Sequence, residues 1–471
     1  MHRRRFLSLS ALASAALLSR NLFAQQSARN DEAPAIPADF TGLSYESRQL
    51  GDPDFFSADN KQLITLVSLL GKRGVLRIGG NTSEYCFFDR NAKPAKQPIV
   101  ADPDKGRTAP PNTTITRAAI RNLRAFLDAT NWTLVYGLNL GKGTPDSAAD
   151  EAAFVHDTIG PRLTAFQIGN EPDLFPQNGL RPKDWSVEQF LTQWKAFHDA
   201  IRKHVPNAVF WGPADSWKID WTTAFAERFH SDVAILAHHY YAEGPPTDPA
   251  MTIDRLLHPN ASFERVLDQL QYLRRDLRLP YRIAETNSCY SGGKQGVSDT
   301  FASALWGADL MFELAARSAA GINLHGGGNG WYTPIAGTLA SGFSARPIYY
   351  GMLLFAAAGA GTIRNISNGD ALSSAYLVTN GDSTRRIFIN KHASERWTSR
   401  LEPGTATHAE VLLLTAPSLE STSGVTLGGA AVTLADGRAV WNAQPQILSL
   451  KKGGFNIDVP PASALMVTVR K

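Results

Sequence analysis

At 471 residues the chain is too long for one compact domain and long enough for two. Its 43% hydrophobic content, with 10 Trp, 23 Phe and 12 Tyr, supplies a sizeable core and rings of the kind that stack on sugar faces. The formal charge of +4 comes from residues 1–24, where Arg3, Arg4, Arg5 and Arg20 meet no acid; the remainder holds 43 bases and 43 acids, so net charge implies neither a nucleic-acid nor an anionic-membrane partner.

The chain opens on a targeting segment. After the arginines comes an apolar run from Phe6 to Leu18, then small residues ending at Ala24, where cleavage is expected. Arg3-Arg4-Arg5-Phe6-Leu7 is similar to a twin-arginine export signal, and a general secretory signal with extra arginines is the alternative. Both place the mature protein in the periplasm or outside the cell. The run is too short to span a bilayer, and no later stretch reaches about 18 uninterrupted apolar residues, so no membrane partner is expected. The two cysteines, Cys86 and Cys289, exclude a disulfide scaffold and a Cys-rich zinc site, and free buried thiols are expected.

Residues 25–38 are too few for a domain and can donate an edge strand to a later sheet. Eight short apolar runs follow: Phe40–Glu46, Val75–Gly80, Trp132–Asn139, Thr164–Glu171, Ala208–Asp215, Val233–Tyr241, Tyr281–Asn287 and Gly321–Gly327. Continuous apolar character without alternation is expected of parallel strands buried on both faces. Between them Arg117–Ala129 sets Ile120, Leu123, Phe126 and Leu127 on one helical face, and Val187–His204 repeats the pattern. Strand and helix alternating eight times predict a (β/α)8 barrel over 39–345. A doubly wound sheet competes, but the first strand lacks a Gly-x-Gly-x-x-Gly turn. From about residue 345 the runs become short and alternating (Ser374–Val378, Arg386–Lys391, Ala409–Thr415, Ala439–Asn442, Ala464–Val469), which predicts an antiparallel β-sandwich over 346–471.

Two of the barrel runs end in glutamates: Phe166-Gln-Ile-Gly-Asn-Glu-Pro172 in Glu171 and Tyr281-Arg-Ile-Ala-Glu-Thr-Asn287 in Glu285. Barrel enzymes present acid/base groups at strand C-termini. Two carboxyls about 5–5.5 Å apart, one protonated and one ionised, can cleave a glycosidic bond by double displacement. Both can also be ordinary strand-end glutamates. Asn170 places an amide where it can hydrogen-bond a sugar hydroxyl. Arg77 reads as a cation near Glu285 or as a structural ion pair. His238-His239-Tyr240-Tyr241 ends the sixth run; neighbours on a strand point to opposite faces, which argues against a shared metal. Neither a metal nor a cofactor is called for.

Gly-Asn-Glu-Pro after strand four with a glutamate on strand seven resembles the clan A retaining (β/α)8 glycosidases. Three further strings are similar to the heparanase/β-glucuronidase family, glycoside hydrolase family 79: Phe40-Thr-Gly-Leu-Ser-Tyr-Glu46, Leu76-Arg-Ile-Gly-Gly80 and Gly326-Gly-Gly-Asn-Gly-Trp-Tyr332. The resemblance implies Glu171 as acid/base, Glu285 as nucleophile and Glu46 as a contact to sugar hydroxyls. It also implies that Tyr241, with Tyr240 as fallback, hydrogen-bonds the nucleophile, and that Tyr332 with loop NH groups holds a uronate carboxylate. Tyr290, Gly292, Gly293 and Lys294 lie just beyond the nucleophile and can complete that pocket; Tyr290 also reads as packing and Lys294 as a solvated loop lysine. No basic clusters of the kind that line a cleft for sulfated chains are seen. The expectation is a retaining exo-β-glucuronidase acting on terminal glucuronic acid. The alternatives are a neutral-sugar, arabinofuranosidase-like enzyme, an endo-acting heparanase-like one, or a non-catalytic sugar-binding barrel.

Overall fold

The structure, a computed structural model, describes residues 33–97, 111–326, 330–381, 383–402, 406–449 and 453–470. The export segment and the Gly327-Gly328-Asn329 part of the glycine-rich loop lie outside these residues. Eight parallel strands close into a barrel in chain order: β1 Thr41–Glu46, β2 Val75–Gly79, β3 Thr133–Leu138, β4 Leu163–Ile168, β5 Phe210–Asp215, β6 Ile235–Glu243, β7 Tyr281–Cys289 and β8 Ile322–Gly326. Each coincides with one of the apolar runs. β2, β5, β7 and β8 are buried at every position, because the ring covers one face and the helices the other.

Helices form where the apolar residues recur every three to four positions. α1 Lys61–Leu69, α2 Arg117–Thr130, α3 Pro145–Ile159, α4 Val187–His204, α5 Ile219–Phe229, α6 Ala261–Asp276 and α7 Phe301–Ala316 connect the strands. Ser186 and Gln189 cap the start of α4 reciprocally, and Phe190, Leu191, Trp194, Phe197 and Ile201 then bury one face. Inside the ring Val75, Val135, Ala165, Trp211, Ala237 and Ala284 fill the lumen. Beneath them the Arg282 guanidinium closes the floor, donating to Asn323 Oδ1 at 2.7 Å and Phe40 O at 2.9 Å. Cys86 and Cys289 are buried free thiols.

The texture change near 345 does not end the helices. Pro347–Ala358 forms a further helix, α8, and the sheet strands that follow it start at Gly361. Its sequence, PIYYGMLLFAAA, shows no amphipathic period because it is buried from Pro347 through Phe355 between α7 and the sheet beyond. Gly351 permits this: a Cβ there would lie 2.2 Å from the Ala304 carbonyl oxygen of α7.

The sheet runs Ala35–Ile36, Gly361–Asn365, Ser373–Asn380, Ser383–Asn390, Ser463–Arg470, His408–Thr415 and Thr426–Leu427, all antiparallel. Ala35–Ile36 is its edge. Alternation divides the strands between two cores. Tyr376, Ile387, Ile389 and Met466 join the barrel's core; Ala375, Phe388, Leu465 and Val467 pack under a ribbon of Trp397–Leu401 and Phe455–Val459. The predicted strand Ala439–Asn442 is instead part of a separate hairpin, Arg438–Val440 against Thr433–Ala435. Among the described residues no helix is long and apolar enough to cross a membrane.

Asp309 of α7 joins the two parts. It accepts from Lys391 Nζ at 2.7 Å, Tyr376 Oη at 2.7 Å and Ser374 Oγ at 3.0 Å, all from the sheet, and the Lys391 side chain is 7% exposed. Asp309→Ala leaves that ammonium buried without a counter-charge. A loss of about 3 kcal/mol is expected in urea unfolding, partly recovered by adding Lys391→Met.

Candidate active site

The C-terminal ends of the strands surround a cavity of about 1420 Å³. Glu46, Glu171, Tyr241, Glu285, Tyr290, Gly292, Gly293, Lys294 and Tyr332 all line it. Asn170 and Arg77, each 1% exposed, are not among its lining residues and lie in the network behind Glu285.

Each acid reaches the mouth through a local irregularity. β4 ends at Ile168, and Glu171 sits three residues later in left-handed backbone, φ 49°. A non-glycine residue there costs roughly 1–3 kcal/mol. The hydrogen bond from Glu171 N–H to Ala214 O, 2.9 Å, and Pro172 after it hold the turn. In β7 the pairing register shifts between Ile283 and Glu285. The shift lets the neighbours Ala284 and Glu285 both face inward, one into the lumen and the other into the cavity. At the end of β2, Gly80 has φ 72°, and a Cβ on it would come within 2.4 Å of the Glu46 carboxylate.

The two acids are oppositely treated. Arg77 Nη1 donates to Glu285 Oε2 at 2.5 Å and Tyr241 Oη donates to Oε1 at 2.8 Å. Arg77 is locked in turn on Gln167 Oε1 (3.1 Å), Ser44 Oγ (2.9 Å) and Asn170 Oδ1 (2.6 Å). Burial pushes the Glu285 carboxyl up, but His325, His239, Arg77 and the Tyr241 hydroxyl outweigh it and hold it well below the usual range. His239's own burial drives its pKa far below 6.5, so it is neutral near pH 7 and the charge on Glu285 rests on Arg77 and His325. Burial also pushes Glu171 up, the negative charge on Glu285 adds to it, and the result lies well above the ordinary carboxyl value. His239 Nδ1 is 3.2 Å from Glu171 Oε1.

A carboxylate oxygen of Glu171, one of Glu285 and a ring nitrogen of His239 all lie within 4.8 Å of one another. Three such atoms are also the sort of group that can hold a metal ion. The guanidinium already on Glu285 competes with a cation there, so the arrangement suits proton transfer better.

Around this pair the other candidates divide. Glu46 is fixed by Thr82 N–H (2.8 Å) and Thr82 Oγ1 (2.6 Å). The Tyr332 and Tyr241 rings lie 6.1 Å apart, centre to centre. Lys294 is half-buried, and its Nζ donates to Asp248 O at 2.8 Å. The Asn170 amide is turned to the protein: its oxygen takes Arg77, and its NH2 gives one hydrogen to Asn81 Oδ1 at 3.1 Å. Tyr241, not Tyr240, donates to Glu285, while the Tyr240 ring stacks on Phe263 in the cavity wall.

No protein-family model matches the chain. It is 26% identical over 445 residues to a β-glucuronidase of Neurospora crassa, covering 82% of this chain and 78% of that protein. It is 25% identical over 342 residues to a β-glucuronidase of Aspergillus niger, covering 65% and 61%. Among solved structures, a 4-O-α-L-rhamnosyl-β-D-glucuronidase from Fusarium oxysporum superposes with a TM-score of 0.73 at 18% identity, over 93% of this chain and 97% of that one. A family 51 arabinofuranosidase from Xanthomonas axonopodis superposes at 0.66 and 14% identity, over 94% and 98%. The chain is a glycoside hydrolase on a (β/α)8 barrel with an added β domain.

Two groups of the site were not singled out from sequence. His325, one residue before the glycine-rich string, lies near the end of β8 with Nδ1 3.7 Å from Glu285 and Nε2 3.4 Å from Glu46. Burial lowers its pKa, but Glu285 and Glu46 raise it more, and the net shift is upward. Glu84, in the turn after β2, accepts from Asn170 N–H at 2.7 Å and Gly141 N–H at 2.5 Å, and burial pushes it up to about 7 against those bonds. It ties the loops after β3 and β4 together directly behind Glu171. Glu84→Gln turns an NH2 towards one of these donors. The expected result is a loss of about 1–3 kcal/mol in urea unfolding, with kcat reduced more than KM is raised.

Proposed function

We propose that this glycoside hydrolase is a retaining exo-β-glucuronidase of the family 79 type, removing terminal β-linked glucuronic acid by double displacement. One observation carries the reading: a proton-holding Glu171 with an oxygen within 4.8 Å of one on Glu285, which Arg77 and Tyr241 keep ionised. That closeness favours the roughly 5–5.5 Å spacing of retaining enzymes over the 6.5–9.5 Å that leaves room for water in inverting ones. Glu285 attacks the anomeric carbon while Glu171 gives its proton to the departing oxygen. Once the ester forms, Glu285 is neutral and no longer raises Glu171, which then takes the proton of the incoming water.

The β-glucuronidase relatives and the cavity wall both favour a uronate. Phenols at Tyr290 and Tyr332, with NH groups of Gly292 and Gly293, suit a sugar carboxylate, and Glu46 suits hydroxyls. Arg265 and Lys294 are the only Lys or Arg among the described lining residues, which fits one terminal uronate better than a sulfated chain. Action outside the cytoplasm is read from residues 1–24. An arabinofuranosidase-like activity is the second reading, favoured by the superposition on a family 51 enzyme.

Hydrolysis of 4-nitrophenyl β-glucuronide with a β-configured first product is expected, and activity on arabinofuranosides well below it. Glu285→Ala should lose at least 10⁴-fold in kcat. Glu171→Ala should lose far more on poor leaving groups than on activated aryl ones, and azide should restore turnover as β-glucuronyl azide. The pH profile of kcat/KM should fall on the acid side as Glu285 protonates, below the ordinary carboxylate range. It should fall on the alkaline side as Glu171 deprotonates, above that range, and Glu171→Gln should abolish this alkaline limb.

A further inference from the structure

Trp217 is 60% exposed, yet it lines the catalytic cavity. It sits in the short link between β5 and α5, and that link is tied to the Glu171 turn: Ser216 N–H and Oγ donate to the Asp173 carboxylate at 3.0 and 2.6 Å. In the closed ring β5 adjoins β4, which leads into the Glu171 turn, and stands four strands from β1, which carries Glu46. The mouth is therefore ordered from Glu46 and His325 on one side, across Glu285 and Glu171, to Trp217 on the other. A general acid sits on the side of the departing group. The cavity also exceeds the roughly 300–1,000 Å³ that a drug-sized ligand fills, so a single uronate leaves space beyond the acid.

We propose that Trp217 is the stacking platform of an aglycone subsite, and that its occupant is a second, neutral pyranose. The natural substrate class is then a glycan capped by glucuronate rather than a small glucuronide. This rests on the glucuronidase reading and specifies the other half of its substrate. An exposed indole offers a flat apolar face to the C–H face of a sugar. Gln177 and Asn178, from the loop after β4, also line the cavity, and each amide carries donors and acceptors that match ring hydroxyls. Trp217 thus determines specificity by binding and takes no part in bond breaking.

The test compares kcat/KM on a glucuronosyl-β-linked neutral disaccharide, on phenyl β-glucuronide and on β-glucuronyl fluoride, which has no aglycone. Trp217→Ala should lower the disaccharide-to-fluoride ratio at least tenfold, chiefly through KM, and Trp217→Tyr should recover most of it. A ratio within twofold of wild type overturns the proposal. So does an equal loss on phenyl glucuronide and disaccharide, which marks a general apolar wall. If the wild type cleaves none of the three, the glucuronidase reading itself has failed, an outcome that wild-type activity on the fluoride separates from failure of the subsite.

Discussion

The bond from the buried Arg77 guanidinium to Glu285 is the constraint on which the site is built. Both groups are out of water, and such a pair survives only if every remaining donor is used. Beyond Glu285, Arg77 places three more of its N–H groups on Gln167, Ser44 and Asn170, from β4, β1 and the loop after β4. A planar fork with donors on three sides can do this; a lysine ammonium could not hold the same directions. The ion pair therefore fixes strand ends as well as charge.

From that charge the asymmetry of the acids follows. Two carboxyls this close cannot both ionise at ordinary cost, so stabilising one anion raises the other group. His239 beside Glu171 is held neutral by burial, while His325 between Glu285 and Glu46 is pushed towards its cation. Two buried histidines shift in opposite directions because their neighbours differ. The barrel supplies this by giving each group a separate strand end.

The site also carries local costs that the surrounding fold offsets. Glu171 occupies left-handed backbone, and Glu84 is a buried carboxyl held by two backbone NH groups. Neither would persist on a mobile loop. The outer sheet contributes by bracing: Asp309 anchors it to α7, and α8 is clamped between the two. The described chemistry lies wholly in the barrel.

Periodicity made much of the fold readable. Short apolar runs such as Val75–Gly80 and the start of Tyr281–Asn287 fit strands buried on both faces, and Val187–His204 declares its helix by spacing and cap. The same logic failed for α8, since a helix covered on nearly every side has no polar face to mark its period. At the site, Glu171 and Glu285 stood out because barrel enzymes present acid/base groups at strand ends, and Tyr241 through the resemblance to the clan A glycosidases. Glu84 and His325 carried no such mark: each is an ordinary residue until ring closure brings strands distant in sequence together. A register shift in β7 turned Glu285 inward beside Ala284, and closure brought it to Arg77, 208 positions away. Side-chain type and spacing are local properties of the chain, but charge state depends on what lies a few ångströms off across the barrel, and that is a property of the closed ring alone.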